Sequence, residues 1–203
     1  MALRKIIYKG EPLLRKRARE IKEITDHIRE LEEDMWETMY EANGVGLAAP
    51  QVGALRRLVV IDVTGMDEED ADEAEDGDEQ TEPKAEPQPQ PEPKPEPETI
   101  KYTLINPEIV EVSDEKITSK EGCLSVPGMV GVVERPARVK VRALDIAGDP
   151  FEVEGEGMLA KALLHEIDHL EGVLYTDIAE SVEEIKPEEE PEQDDGKGVK
   201  DIV

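Results

Sequence analysis

Two histidines stand one helical turn apart in the segment HEIDH, residues 165–169. Side chains four residues apart share one face of an α-helix, so His165 and His169 can reach the same metal ion. Glu166 lies on the adjacent face, where a carboxylate could exchange protons with a water molecule. The alternative is a charged helix with histidines at this spacing by chance. The flanking leucines and isoleucine instead predict a buried helix, in which an imidazole needs a partner.

A catalytic metal site needs three protein ligands and one open position, and Cys123 is the best candidate for the third ligand. It lies in EGCLSVPG, residues 121–128, a segment that glycine and proline keep out of a regular helix. As the single cysteine of the chain it cannot form an internal disulfide, and a lone buried cysteine is more often structural than a ligand. Together with the two histidines, however, a thiolate here would complete a hydrolytic metal site.

Several periodic segments could position these residues. Apolar residues at steps of three and four predict a helix from Thr25 to Ala42, and the pattern repeats over 157–171. The run LVVIDV, residues 58–63, predicts a buried strand, and short strands are expected at 102–105, 109–112 and 139–144. Asn106 and Pro107 are expected to separate the second strand from the third. The sequence therefore predicts an α+β fold of short antiparallel or mixed strands around a central HExxH helix.

The chain has 203 residues and a formal net charge of −27, and two segments contribute most of this charge. Residues 67–99 hold 15 acidic residues and 7 prolines with few large apolar side chains, a composition typical of disorder. We therefore expect one catalytic domain over 1–179, interrupted by a disordered insertion at 66–99 and followed by a flexible acidic tail at 180–203. The acidity argues against binding to nucleic acids or anionic membranes. No signal-peptide pattern or membrane span is present, so a cytoplasmic protein is expected.

The segments GVGLAAPQ, EGCLS and HEIDH, in this order, resemble the three signature segments of the peptide deformylase family. HExxH alone would suggest a zinc protease, but the other two segments do not fit that class. The likeness continues through LVVIDV, INPE and VKVRALDIAG, and it covers nearly all of the chain outside the acidic segments. It implies a deformylase-like fold. It also implies hydrolytic removal of the formyl group from the N-terminal methionine of new polypeptides.

The resemblance also implies the metal and its chemistry. Cys123, His165 and His169 would bind one divalent ion, with ferrous iron expected in vivo and zinc, nickel or cobalt as alternatives. Water activated by this ion would attack the formyl carbon. Glu166 would accept a proton from that water and pass it to the departing amine.

Further roles follow from the same resemblance. The side chain of Gln51 and the main-chain N–H of Leu124 would stabilise the oxyanion. Gly46 would bind the substrate main chain, with a tight turn as the alternative. Asp168 and Arg135 would form an ion pair beside the metal. The wall of the methionine pocket, which could also be ordinary core packing, is expected to comprise Val45, Met158 and Ala162.

Three features depart from the family pattern. Leu164 stands where many members have glutamine, and residues 66–99 are an insertion that the compact members lack. The C-terminal tail is acidic where some bacterial members carry a basic helix. Docking to the ribosome through this tail is therefore not expected. The expected partners are N-formylmethionyl nascent peptides, with no membrane or direct nucleic-acid partner, and the expected state is a monomer. The competing interpretations are a metal hydrolase acting on other acylated peptides and an inactive relative whose acidic segments bind a basic partner.

Overall fold

The protein is built on antiparallel sheets and two helices, as a computed structural model shows for residues 2–66 and 99–185. In chain order the elements are α1 (Asp26–Glu41), β1 (Gly46–Ala48), β2 (Leu58–Asp62), β3 (Lys101–Val112), β4 (Lys116–Gly122), β5 (Met129–Pro136), β6 (Arg138–Leu144), β7 (Pro150–Glu156), α2 (Gly157–Glu171) and β8 (Ser181–Glu184). One sheet has the order β1-β2-β3-β6-β7 and the other has the order β4-β5-β8. The predicted α+β class is confirmed.

Strand β2 lies inside the larger sheet and is apolar on both faces. Leu58 and Val60 pack with the apolar stripe of α1, whereas Val59 and Ile61 pack with the apolar face of α2. Alternate residues of a strand point to opposite faces, so two covered faces require an apolar residue at every position. This explains why the sequence shows a continuous apolar run here. It also places α1 and α2 on opposite sides of the five-stranded sheet.

Helix α2 has the bounds that the sequence predicted, Gly157–Glu171. It ends at Gly172, whose φ of 79° is the left-handed conformation that glycine adopts without strain. A Cβ atom at this position would meet main-chain atoms of Arg15 at 2.7 Å, so the close approach of the N-terminal segment also requires glycine. The end of the helix is thereby fixed against the rest of the chain.

Strand β3 is continuous, so the expected division into two short strands is wrong. Asn106 does not interrupt the strand but forms an irregularity in it, with a shift of register between Ile105 and Glu108. The φ of Asn106 is 52°, in the left-handed region. Its side chain accepts a hydrogen bond from the N–H of Ile21 and donates one to the carbonyl of Ile21, both at 2.8 Å. These bonds hold the bulge in place.

The boundary expected at residue 180 needs a correction, because the first residues beyond it form β8. Ser181–Glu184 pair with β5 in an antiparallel register that sets Met129 opposite Glu184. An acidic strand can pair in this way because main-chain hydrogen bonds do not depend on side-chain polarity. Residues 186–203, the rest of the expected tail, lie outside the described residues. So do residues 67–98, which make up nearly all of the expected insertion.

The ends of the two described ranges, after β2 and before β3, lie side by side at the larger sheet. The N–H of Val63 donates to the carbonyl of Ile100 at 3.1 Å, and the N–H of Ile100 donates to Thr64 Oγ1 at 2.9 Å. Beside them, Asp62 accepts a hydrogen bond from Tyr40 Oη at 2.9 Å and lies 3.1 Å from the ammonium of Lys101. We call Asp62, Tyr40 and Lys101 the edge cluster. It fastens the ends of β2 and β3 to each other and to α1.

Neither helix α1 nor helix α2 is long and apolar enough to cross a membrane, and no other helix in the described ranges is.

Candidate active site

Three potential metal ligands converge between helix α2 and the segment that follows β4. One ligand atom from each of Cys123, His165 and His169 lies within 4.8 Å of the other two, and Cys123 Sγ is 3.2 Å from His169 Nε2. Both histidines are buried, and the cysteine is half-buried. Helix α2 supplies the histidines at adjacent turns, and the turn after β4 brings the thiol to them. The three residues that the sequence singled out as ligands are therefore neighbours in space.

The ring of His165 is held from behind by Glu121, a buried carboxylate on β4. His165 Nδ1 and Glu121 Oε2 are 2.8 Å apart. Although burial raises the pKa of Glu121, hydrogen bonds from His165 and Arg135 outweigh this effect and lower the pKa to about 2. An ionised carboxylate can only accept, so Nδ1 carries the hydrogen and Nε2 is left for the ligand cluster. Glu121 thus sets the tautomer of one ligand.

Arg135 on β5 joins Glu121 to Asp168. It donates from Nε and Nη2 to the two carboxylate oxygens of Glu121, at 2.6 and 3.0 Å. It also donates from Nη1 to Asp168 Oδ2 at 2.8 Å. The structure therefore places Asp168 and Arg135 in direct contact. Asp168 precedes the ligand His169 in sequence, and Arg135 lies behind His165 with Glu121 between them. We call Glu121, Arg135, Asp168 and His165 the buried cluster.

The second histidine has a different environment. His169 Nδ1 is buried and has no hydrogen-bond partner among the described residues, while Nε2 faces Cys123. His165, by contrast, is also supported by packing, because the buried Tyr175 stacks on its ring with 6.0 Å between ring centroids. Tyr175 Oη donates to the carbonyl of Met129 at 3.0 Å, which fixes the phenol ring. His165 is therefore oriented by a buried ion-pair network, whereas His169 has no comparable polar support from the part of the chain that the structure describes.

The charges at this cluster suit a metal ion. Although burial lowers the pKa of His165, hydrogen bonds with Cys123 and Glu121 and the charge of Glu166 raise it to about 10. Burial, together with the positive charges of His165 and Arg135, holds the pKa of His169 well below its usual value, so that imidazole is neutral. The surroundings thus favour a positive charge between the three ligands. A divalent cation would take over the charge that a proton on His165 supplies, so the donor set fits a metal.

Glu166 lies beside the ligands and is buried. Burial raises its pKa to about 7, since the opposing charge of His165 only partly offsets the loss of hydration. Its Oε2 has no hydrogen-bond partner within the described part of the chain. Its other oxygen packs on Gly46, where an added Cβ would come within 2.5 Å of Oε1. Glycine at position 46 therefore makes room for the Glu166 carboxylate.

Gln51 points its amide group toward the thiol. The N–H of Ala48 donates to Gln51 Oε1 at 2.7 Å, which assigns the oxygen and leaves the amino group facing the other way. Gln51 Nε2 is 3.2 Å from Ser125 Oγ and 3.6 Å from Cys123 Sγ. The main-chain N–H of Leu124, next to Cys123, donates to no acceptor in residues 2–66 and 99–185. Two N–H donors thus lie close to the ligand cluster.

A cavity of about 360 Å³ opens from these residues. Cys123, His165, Glu166 and Gln51 lie along it, and Val45, Met158 and Ala162, the expected pocket wall, also line it. A larger cavity of about 770 Å³ lies around residues 17–28 and contains none of the predicted site residues. Leu164 does not face the smaller cavity but packs into the core between α2 and the sheet. The substitution at 164 therefore supplies an apolar core contact.

Strand β1 forms one edge of the five-stranded sheet beside this cavity. The carbonyl of Val45 accepts a hydrogen bond from the N–H of Asp62, and Gly46 is opposite Ile61. Hydrogen-bonded and non-bonded pairs alternate in antiparallel strands, so the N–H and C=O of Gly46 point away from β2. An extended peptide lying along this edge could pair with them.

Three residues of the site were not singled out from the sequence, namely Glu121, Ser125 and Tyr175. Glu121 stands two residues before Cys123, and the quoted segment EGCLS includes it, but no pattern revealed its contact with His165. Ser125 is fully buried, accepts from Gln51 and directs its own N–H toward Cys123 Sγ at 3.4 Å. Tyr175 follows α2, and an isolated aromatic residue carries no signal for stacking on a ligand.

The HExxH helix, the thiol and the buried glutamate together define a candidate site of the mononuclear metal hydrolase class. The chain matches the family model described as polypeptide deformylase over residues 3–184. It is 45% identical over 195 residues to a peptide deformylase of Lachnoclostridium phytofermentans, covering 96% of this chain and all of that one. The fold is similar to the Thermotoga maritima peptide deformylase, with a TM-score of 0.70 and 34% identity over 89% of this chain and 100% of the other.

A Synechococcus elongatus peptide deformylase, solved in complex with actinonin, is similar too, with a TM-score of 0.69 and 34% identity over 88% of this chain and 79% of that one. The chain belongs to the peptide deformylase family. It is accordingly an enzyme that hydrolyses the N-terminal formyl group of new polypeptides.

Proposed function

We propose that Cys123, His165 and His169 hold one divalent metal ion and that Glu166, Gln51 and Leu124 carry out deformylation around it. The observation that carries this proposal is the convergence of the three ligand atoms within 4.8 Å. Beside them lies the buried carboxylate of Glu166, whose Oε2 has no hydrogen-bond partner among the described residues. When bound, such an ion supplies Lewis acidity that polarises a carbonyl and lowers the pKa of water. Ferrous iron is the proposed ion in vivo, because the family usually uses iron. A thiolate with two imidazoles also suits zinc, nickel and cobalt.

Glu166 moves the protons. Its Oε2 has no hydrogen-bond partner among the described residues, so it is available to accept a proton from water beside the ligand cluster. The same carboxyl group can then donate this proton to the amine that leaves as the C–N bond breaks. Gly46 makes room for the carboxylate, because its missing side chain leaves the space that Oε1 occupies.

Gln51 and the N–H of Leu124 stabilise the oxyanion that forms on the formyl oxygen. Donors contribute most when they are oriented before the reaction. Gln51 meets this condition because the N–H of Ala48 holds its Oε1 at 2.7 Å. Leu124 meets it because the main chain at Cys123 is fixed by a turn, in which the N–H of Val126 donates to the carbonyl of Cys123 at 2.8 Å.

The substrate main chain pairs with Gly46 at the edge of β1, and the methionine side chain lies in the cavity. Val45, Met158 and Ala162 form its wall, so an unbranched apolar side chain is accommodated. Arg135 and Asp168 hold the ligands in place through the buried cluster. We further propose that the protein works as a monomer in the cytoplasm, where nascent chains arise, since one chain supplies every residue of this site.

The test is formate release from formyl-Met-Ala by protein purified without oxygen, compared with acetate release from acetyl-Met-Ala. The Glu166→Gln variant keeps the size of the side chain but removes the base. We expect kcat to fall by about 10² to 10⁴, with the metal content unchanged. Acetate release as fast as formate release would contradict the assignment of the substrate. Full activity of Glu166→Gln would contradict the role of Glu166.

A further inference from the structure

The mouth of the active-site cavity includes one residue from the C-terminal strand region. Ile185 follows β8 directly and lines the cavity, yet 52% of it is exposed. Single exposed apolar residues are common on protein surfaces and need no explanation by themselves. Ile185 differs because it continues an apolar wall that leads to the metal ligands. That wall consists of Leu124, Val126, Pro127 and Met129.

Ile185 is held at this position by main-chain bonds. Its N–H donates to the carbonyl of Gly128 at 2.9 Å, which extends the pairing of β8 with β5 by one residue. Gly128 belongs to the segment that runs from Cys123 to β5. The position of Ile185 relative to the ligand Cys123 is therefore set by the sheet. The side chain is exposed, but the main chain that carries it is anchored.

A substrate must extend past this residue. In the proposed mode of binding, the formyl group reaches the ligand cluster. The methionine side chain then packs against Val45, Met158 and Ala162, on another part of the cavity lining. The following residues then leave through the mouth, where Ile185 stands. An apolar side chain at the mouth would remove part of Ile185, and part of the apolar residues between Leu124 and Met129, from contact with water.

We propose that Ile185 is a specificity-determining residue that selects an apolar side chain at the second or third position of the formyl-peptide. This inference rests on the proposed function of the site. It assigns to the C-terminal strand region a direct contact with the substrate, outside the HExxH, EGCLS and GVGLAAPQ segments. The contact acts on binding rather than on the chemical step, because Ile185 touches none of the reacting atoms.

The experiment measures formate release from formyl-Met-Leu-Ala, formyl-Met-Ser-Ala, formyl-Met-Ala-Leu and formyl-Met-Ala-Ser. At one of the two positions we expect leucine to be preferred over serine by about fivefold in kcat/KM, mostly through KM. The Ile185→Ser variant should bring this ratio close to one, and Ile185→Leu should retain it. Ile178→Ser is the matched control, because Ile178 is 46% exposed but does not line the cavity.

Formylmethionine amide, which has no second residue, gives the baseline for every variant. Equal rates for wild type and Ile185→Ser on this substrate, with selectivity lost on the tripeptides, support the proposal. Selectivity at neither position, selectivity that survives Ile185→Ser, or an equal loss on all substrates overturns it. No formate from the amide or any peptide with the wild-type protein would instead refute the proposed function, and this inference would fall with it.

Discussion

Glu121 and Asp62 are two carboxylates with the same lowered pKa, about 2, in very different surroundings. Glu121 lies in the buried cluster, where its side chain is 2% exposed and that of Arg135 is 7% exposed. Asp62 lies in the edge cluster, where the side chain of its partner Lys101 is 45% exposed. In both clusters, hydrogen bonds to the charged carboxylate outweigh the cost of burial. The pKa alone therefore does not tell which carboxylate the protein depends on.

The two clusters should respond differently when a partner is removed. A buried guanidinium that loses its carboxylate cannot regain water, so the cost is large. An exposed ammonium regains most of its hydration when its carboxylate is removed, so the cost is small. The buried cluster also orients a metal ligand, whereas the edge cluster fastens two strand ends. Substitutions can test this contrast in stability and in metal binding separately.

The largest effect is expected for Glu121→Ala. Arg135 would keep only Asp168 as a partner, and we expect the free energy of unfolding to fall by about 3 to 5 kcal/mol. His165 would lose the acceptor that fixes its tautomer, and the affinity for zinc should fall by about 10-fold to 100-fold. Urea unfolding of the metal-free protein measures the first quantity. Competition with a chelator measures the second.

A double substitution separates the two roles of Glu121. Replacing Glu121 by Leu and Arg135 by Met removes the buried charges together, so much of the lost stability should return. The zinc affinity should stay low, because His165 still has no acceptor. Recovery of both quantities would show that Glu121 acts on the metal only through the stability of the fold.

An intermediate effect is expected for Asp168→Ala. Asp168 is 29% exposed in its side chain, and Arg135 would keep both of its bonds to Glu121. We expect a loss of about 1 kcal/mol in the free energy of unfolding and less than about a tenfold loss of zinc affinity. The same two measurements apply. Zinc affinity unchanged from wild type would remove Asp168 from the residues that support the site, and a loss as large as that of Glu121→Ala would contradict the ranking.

The smallest effect is expected for Asp62→Asn, at most about 1 kcal/mol at neutral pH, with no change in zinc affinity. Although burial raises the pKa of Asp62, hydrogen bonds from Thr64, Tyr40 and Lys101 lower it to about 2. The pKa of an aspartate in the unfolded chain is about 4. The stabilisation of the fold by the ionised Asp62 is therefore present above that pH and is lost as the pH falls toward 2.

Urea unfolding of wild type and Asp62→Asn between pH 6 and pH 3 checks this dependence. The difference in the free energy of unfolding between the two proteins should be constant near pH 6 and shrink toward pH 3. A difference that grows on acidification would mean that the edge cluster does not stabilise the ionised carboxylate.

The parts of the molecule that the sequence predicts well are those with apolar periodicity. Helix α2 and strand β2 carry a pattern that only one kind of element explains, and their expected bounds agree with the structure to within a residue. Strands β4 and β8 are largely exposed, so they have no buried face to produce a pattern. Asn106 suggests a turn locally, but the contact with Ile21 that keeps it within β3 is distant in sequence.

The same distinction holds for the site. His165, His169 and Cys123 are recognisable because each is an unusual residue in its surroundings. Glu121 is one acidic residue among many in a chain of formal charge −27, and its partners Arg135 and His165 are 14 and 44 residues away. Residue type marks the metal ligands, whereas the residues that orient them become visible only when the strands are paired.

The hydrogen bonds between Val63, Thr64 and Ile100 bring the chain back to the sheet close to where it left. The entropy of closing a loop grows only with the logarithm of its length, by about 0.6 kcal/mol for each doubling. A flexible loop placed between these fixed ends can therefore gain residues at little cost in free energy. For protein engineering, the junction of β2 and β3 is a permissive insertion point. It can accept a sequence of another length or a reporter peptide, while the ligands on α2 and beside β4 keep their places.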